Sequence, residues 1–192
     1  LAAARDLFLT EGYAGTGMEV VAREASVSTA TLYAHFPGKS DLFQAVVEHA
    51  VGGLALEVEA SQDSRGGDAR ERLTAFALSY ARFYCDPVSR KVFRLVTGER
   101  RRFSELADYF RNRSQSALGA SAVSLIEALK DEGLLTVEKP VWAAGQLLGM
   151  IEHATLTFGL VRGDEAMPAR PLETICGDAV ETFLARYGPQ VS

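Results

Sequence analysis

The sequence predicts an all-α fold of about nine helices. Three observations make that prediction. No segment of the 192 residues sustains the period-two alternation of a half-buried strand. Apolar residues recur at three- and four-residue spacing along the chain. Helix punctuation, with Ser, Thr or Asp before apolar runs and Gly or Pro beyond them, divides it into segments. At 47% hydrophobic residues the chain can bury a real core, and global disorder is excluded.

The first helix runs from Leu1 to Glu11, with Ala4, Leu7 and Phe8 on one face, and stops at Gly12. Thr16-Gly17-Met18-Glu19 has the form of a capping box and starts a second helix, whose Met18, Val21 and Ala25 face inward. Ser28 caps a third, with Val27 and Leu32 at the hydrophobic-staple positions, and Pro37-Gly38 ends it. Lys39 opens a longer fourth helix buried through Leu42, Phe43, Val46 and Val47. Ser61 to Asp68 is the one segment with the composition of a flexible link. Asp68 with Glu71 caps a fifth helix ending near Cys85, and Asp86-Pro87 opens a sixth with proline at the tolerated first position. Ser104 caps a seventh reaching Gly133, Pro140 opens an eighth to Arg162, and Pro171 a ninth to Gly188.

Several function classes fall away. No apolar run approaches the roughly 18 residues of a membrane span. Leu1-Ala2-Ala3-Ala4-Arg5 lacks the order of a signal peptide and reads as a helix interior, so a preceding N-terminal arm is expected. Cys85 and Cys176, far apart in sequence, predict a buried reduced pair in a cytosolic protein rather than a disulfide. Gly15-Thr16-Gly17 follows no strand and is no dinucleotide loop. His35, His49 and His153 lack metal-ligand spacing, and Glu152-His153, acid-base neighbours, point about 100° apart on a helix. No enzyme, cofactor or metal site is expected.

The second and third helices, short and joined by a tight turn, form a helix-turn-helix. Leu32 and Phe36 of the third fall on one side, and the small or polar Thr29, Ala30, Tyr33 and Ala34 on another. This arrangement implies DNA binding. The charge opposes it: the chain carries −5, and residues 1–50 hold three basic side chains (Arg5, Arg23, Lys39) against six acidic ones, a balance of −3.

Gly12-Tyr13, Thr16, Val21-Ala22-Arg23-Glu24-Ala25-Ser26-Val27-Ser28, Thr31-Leu32-Tyr33, His35-Phe36, Lys39 and Leu42-Phe43 together resemble the N-terminal domain of TetR/AcrR-type transcriptional regulators. Val92-Phe93-Arg94-Leu95-Val96 and Phe103-Ser104-Glu105-Leu106 resemble the AefR-like subgroup. The resemblance implies a DNA-binding domain over residues 1–48 and an effector-binding and dimerisation domain over 49–192. It implies that the third helix enters the major groove with Thr29, Ala30 and Ala34 nearest base edges, beside Ser28 and Thr31. It places Tyr33, His35, Thr16 and Lys39 on phosphates. Three residues depart from the pattern. The place of Thr29 is often lysine, that of Ala34 often larger and basic, and Ser26 stands where a turn glycine is usual. If that turn needs a positive φ, Ser26 costs roughly 1 kcal/mol.

In the second domain, Leu147, Ile151, Ala154 and Phe158 form one helical stripe, and Leu172, Ile175, Ala179 and Phe183 another. Periodicity alone suits a monomer core equally well; the resemblance assigns both stripes to a homodimer interface. Gly145 and Gly149 mark close helix packing. Aromatic residues of helices five to eight supply an effector pocket, mainly apolar, with Tyr84, Arg94, Tyr109, Trp142, Met150 and His153 as candidate ligand contacts. The Glu99–Arg102 run is expected to be a solvated turn. The expectation is therefore a bacterial, cytoplasmic, ligand-released repressor, dimeric on a palindromic double-stranded DNA operator, with no membrane partner. The alternative is a helical ligand-binding or adaptor protein with a degenerate helix-turn-helix.

Overall fold

The computed structural model describes residues 1–60, 67–99, 101–102 and 119–189, with the backbone alone for 50–60. These form nine helices and no strand among the described residues: α1 Ala2–Gly15, α2 Met18–Glu24, α3 Thr29–His35, α4 Lys39–Ala60, α5 Ala69–Cys85, α6 Pro87–Gly98, α7 Ala120–Asp131, α8 from Pro140 to Arg162, and α9 Leu172–Tyr187. Ser104, the expected start of the seventh helix, and residues 61–66 of the expected link lie outside the described residues.

Local chemistry accounts for most boundaries. The Thr31 amide donates to the Ser28 hydroxyl at 3.0 Å, so Ser28 caps α3. At α5 the capping box is complete: the Glu71 amide donates to Asp68 at 2.9 Å, and the Asp68 amide donates back to the Glu71 carboxylate at 3.2 Å. Asp86 accepts from the Ser89 amide at 2.7 Å and leaves Pro87 the first position of α6. Proline likewise opens α8.

The expected box at Thr16 and Glu19 does not form. Gly12 takes φ +70° within α1, which turns the chain, and its carbonyl accepts from the Thr16 amide at 3.3 Å. Thr16 answers that carbonyl, its hydroxyl donating to Gly12 O at 2.8 Å, and Gly17 becomes the N-cap of α2 with no side-chain cap bond. Ala25, expected inside, is the exposed C-cap of α2.

Two compact units are present, one of residues 1–53 with the described residues from Lys91 to 102, the other of 54–90 with 119–189. In the first, Ala4 and Phe8 of α1, Met18, Val21 and Ala22 of α2, Leu32 of α3, and Leu42, Phe43, Val46 and Val47 of α4 share one core. Phe8, Tyr13 and Phe43 meet ring to ring, and Val92 and Val96 of α6 complete it. In the second, α5 packs on α8 and α9, and α7 on α8. Leu73, Phe76 and Tyr80 meet Ile126, Leu129, Leu147, Ile151, Val180 and Phe183 there.

Near its middle α8 departs from α geometry. A π turn over His153–Thr157 separates Pro140–Glu152 from Phe158–Arg162. Arg90, with no exposed surface, reaches it: its guanidinium donates to Thr155 O at 2.9 Å, Asp164 O at 2.8 Å, Tyr84 O at 2.7 Å, and Ala166 O. A buried cation is tolerable only when its donors are largely satisfied, and here four carbonyls take four of its five N–H groups.

Candidate nucleic-acid interface

The geometry of α2 and α3 follows from one turn. The Val27 amide donates to Ala22 O at 3.0 Å and the Ser26 amide to Arg23 O at 3.0 Å, the paired bonds of a Schellman ending. That ending requires a left-handed residue, and Ser26 supplies it at φ +55°. The same bond pair ends α7, where Gly133 takes φ +75°. The turn thus needs the positive φ that the sequence raised as a condition.

From this turn α3 leaves with Leu32 buried and the rest of its face open. Ser28, Thr29, Ala30, Thr31, Tyr33, Ala34 and His35 are all exposed, with Tyr33 at 45% of its free area. Burying Leu32 fixes the rotation of α3, so these seven side chains occupy the outward arc together. The helix stops at Phe36, whose extended backbone precedes Pro37. The His35 ring lies 6.4 Å from that of Phe36. No acidic residue occurs from Ala25 to Gly38, so the arc carries no repulsion toward phosphate.

Thr16 and Lys39 are placed differently. Thr16 is buried and its hydroxyl is held by Gly12 O. The Lys39 ammonium donates to Thr16 O at 2.6 Å and Ala14 O at 3.2 Å, and stands 4.7 Å from the Tyr13 ring centre. It braces the α1–α2 turn through two donors, and one N–H remains. The Arg102 guanidinium lies 4.8 Å from the same ring, so the described part of the basic turn packs on Tyr13.

This packing changes the charge balance of the unit. Lys91, Arg94, Arg101 and Arg102, against Glu99, add +3 to the −3 of residues 1–50. With residues 51–53 uncharged, seven basic and seven acidic side chains balance in the described unit. The sequence count missed this because the compensating cations lie more than 40 residues further along the chain.

In the second unit the candidate contacts are scattered. Tyr84 is half-buried against Tyr80, ring centres 4.9 Å apart, and the Tyr80 hydroxyl donates to the Glu152 carboxylate. Trp142 is 72% exposed beside Gln146 and Tyr187, while Met150 lines a separate cavity. His153 is exposed with its ring 5.4 Å from that of Phe158. Arg94 belongs to the first unit, and Tyr109 lies outside the described residues. Of the two apolar stripes, Leu147, Ile151, Ile175, Ala179 and Phe183 are buried by their own chain, whereas Ala154 and Leu172 are half-buried and Phe158 is 50% exposed.

Residues 1–46 match the family described as bacterial regulatory proteins of the tetR family, and residues 71–189 match the AefR-like transcriptional repressor C-terminal domain. A TetR-family transcriptional regulator from Mesorhizobium loti superposes with a TM-score of 0.90 at 28% identity, over 98% of this chain and 94% of that one. The flavonoid-responsive regulator FrrA gives a TM-score of 0.75 at 26% identity, over 99% and 95%. The HTH-type transcriptional activator FasR of Mycolicibacterium smegmatis is 37% identical over 75 residues, which are 39% of this chain and 34% of that protein. The helix-turn-helix geometry and the two matched regions agree: the chain belongs to the TetR family of bacterial transcriptional regulators, with an AefR-like C-terminal domain.

Proposed function

We propose that this protein is a ligand-responsive repressor that acts as a homodimer on a palindromic DNA operator. The observation that carries this reading is the arc of α3, seven exposed small, hydroxyl or aromatic side chains with no acid among them. Thr29, Ala30 and Ala34 approach base edges, and their methyl groups suit thymine. Tyr33 and His35 hydrogen-bond phosphates, Ser28 and Thr31 fix the start of the helix, and the remaining N–H of Lys39 reaches a flanking phosphate. Thr16 serves the interface through its carbonyl, which holds Lys39 in place.

The homodimer forms through α8 and α9, by the face their packing leaves open. Trp142, Gly145 and Gly149 of α8 and Thr182 and Arg186 of α9 present it. A Cβ at Gly145 or Gly149 would meet nothing within 4 Å, so a partner helix has room to approach. An exposed tryptophan is the kind of anchor on which such interfaces depend. Repression follows the description of the AefR-like domain, and response to a small apolar ligand parallels the flavonoid response in the name of FrrA. A ligand that prefers the dimer arrangement misfitting B-DNA releases the operator in proportion to that preference.

A salt titration with competitor DNA tests the reading. A repressor holds one palindromic duplex against random DNA, with log affinity falling linearly against log salt. Equal weak binding to every duplex would instead favour a helical adaptor with an inactive reading head.

A further inference from the structure

Tyr13 stands near the end of α1, just past the turn at Gly12, and only 5% of it is exposed. Phe8 and Phe43 hold its ring from the core, with ring centres 6.0 Å and 5.1 Å away. Two cations share what is left of the ring. The Lys39 ammonium, from the first turn of α4, is 4.7 Å from the ring centre, and the Arg102 guanidinium, from the turn after α6, is 4.8 Å from it. The two charges are therefore no further apart than those distances together, which is costly unless something offsets their repulsion. The negative face of the ring attracts both. Burial raises the Tyr13 hydroxyl above its ordinary 10.0; Arg102 opposes that shift, and Glu99 and Asp41 add to it, so both carboxylates stand near the pair. The turn that carries Arg102 is itself fixed, because the Arg102 amide donates to Glu99 O at 2.9 Å.

This arrangement confines Lys39. Two of its N–H groups go to Thr16 O at 2.6 Å and Ala14 O at 3.2 Å, so the direction of the third is set once the place of the ammonium on the ring is set. A lysine head rides on a flexible stem, and a ring offered to it alone would let the ammonium wander from those carbonyls. The Arg102 guanidinium occupies the same ring and repels a like charge from its own part of it. We propose that Arg102 is a positioning residue for DNA binding: through the Tyr13 ring it keeps the Lys39 ammonium on its two carbonyls, with the third N–H turned to the flanking phosphate, and does not touch DNA itself. The inference rests on the DNA-binding reading above and adds to it a residue from outside the helix-turn-helix. It also gives the basic turn after α6 a use that its place beyond the first 50 residues conceals.

A double-mutant cycle on the full chain tests it, with affinity for the selected operator read across a salt series. Lys39→Ala and Arg102→Ala should each weaken binding to every duplex about fivefold and lower the salt slope by about one. The double variant should bind no more weakly than Lys39→Ala, because both changes remove the same phosphate contact. Arg102→Lys should restore most of the affinity, and Tyr13→Phe, which keeps the ring, should match the parent. Arg102 is exposed, so its variants fold, with unfolding midpoints close to the parent's. Losses that multiply in the double variant overturn the inference, since Arg102 then meets DNA on its own account. A full salt slope in Arg102→Ala overturns it too, and leaves Arg102 only the packing of its turn. Neither result disturbs the reading of α3. If the parent chain holds no duplex against random DNA, the DNA-binding reading itself fails and this inference falls with it.

Discussion

Gly159 and Arg90 are fitted to each other: a Cβ on Gly159 would sit 2.3 Å from the Arg90 Cζ. Four carbonyls hold the guanidinium, so it cannot swing aside as a free side chain would. Gly159→Ala should cost about 1–3 kcal/mol by overpacking. Arg90→Met should cost at least as much, because it leaves buried carbonyls unpaired. Denaturant unfolding checks both. A Gly159→Ala protein as stable as the parent would show that the clasp is loose.

Ser26 gives a change of opposite sign. The turn between α2 and α3 holds it at φ +55°, where a Cβ crowds the following carbonyl, while Gly133 occupies the equivalent place after α7 without that cost. Ser26→Gly should stabilise the protein by about 0.5–1 kcal/mol, the gain being reduced by glycine's extra unfolded-state entropy. A midpoint shift in thermal or denaturant unfolding, with operator selectivity unchanged, is the expected result.

Lys39 joins stability to binding. Its ammonium ties Ala14 and Thr16 carbonyls beneath the Tyr13 ring. Lys39→Ala should lower stability by about 1 kcal/mol. It should also weaken binding to all DNA alike and reduce the salt slope by about one. A full salt slope in the variant would confine Lys39 to bracing the turn.

The buried tyrosines set an alkaline limit. Desolvation raises the Tyr84 hydroxyl from its ordinary 10.0 to about 12, with the Glu152 charge adding to it and the hydrogen bond to Tyr80 opposing it. Desolvation pushes Tyr80 well above its ordinary range, reinforced by Tyr84 and Glu152. A folded value above the unfolded one means the stabilisation is fully present below pH 10 and lost as pH rises through about 12. Phenolate absorbance should therefore show these two tyrosines ionising only as the second unit unfolds.

The cysteines should be inert in the native protein. Burial raises both thiols, Cys176 to about 11 with the Glu173 charge adding to it. At mildly alkaline pH a thiol reagent should modify neither at an appreciable rate until the chain unfolds, whereupon both react. Rapid native labelling would point to local opening around α5 and α9.

What was legible in the sequence was local. Ser28, the Asp68–Glu71 pair, Pro87 and Pro140 announce their helices because cap chemistry acts within a few residues. Thr16 misled because the glycine four residues earlier redirects its hydroxyl. Periodicity found the buried faces of α8 and α9 but could not say what buries them, and Leu147, Ile151 and Phe183 are covered by their own chain. Arg90 was unreadable: its partners are backbone carbonyls, three of them 65–76 residues away, which carry no side-chain signature.

In-vitro selection of bound duplex DNA by the full chain, repeated with Tyr33→Phe, Thr29 and Ala34 variants, bears most directly on the central claim. The account predicts one palindromic consensus, with half-sites about 34 Å apart for a dimer. Tyr33→Phe should lower affinity for every sequence, and Thr29 or Ala34 substitutions should change which sequence wins. No enriched sequence, or an identical consensus from all variants, would contradict the assignment of α3 as the reading helix.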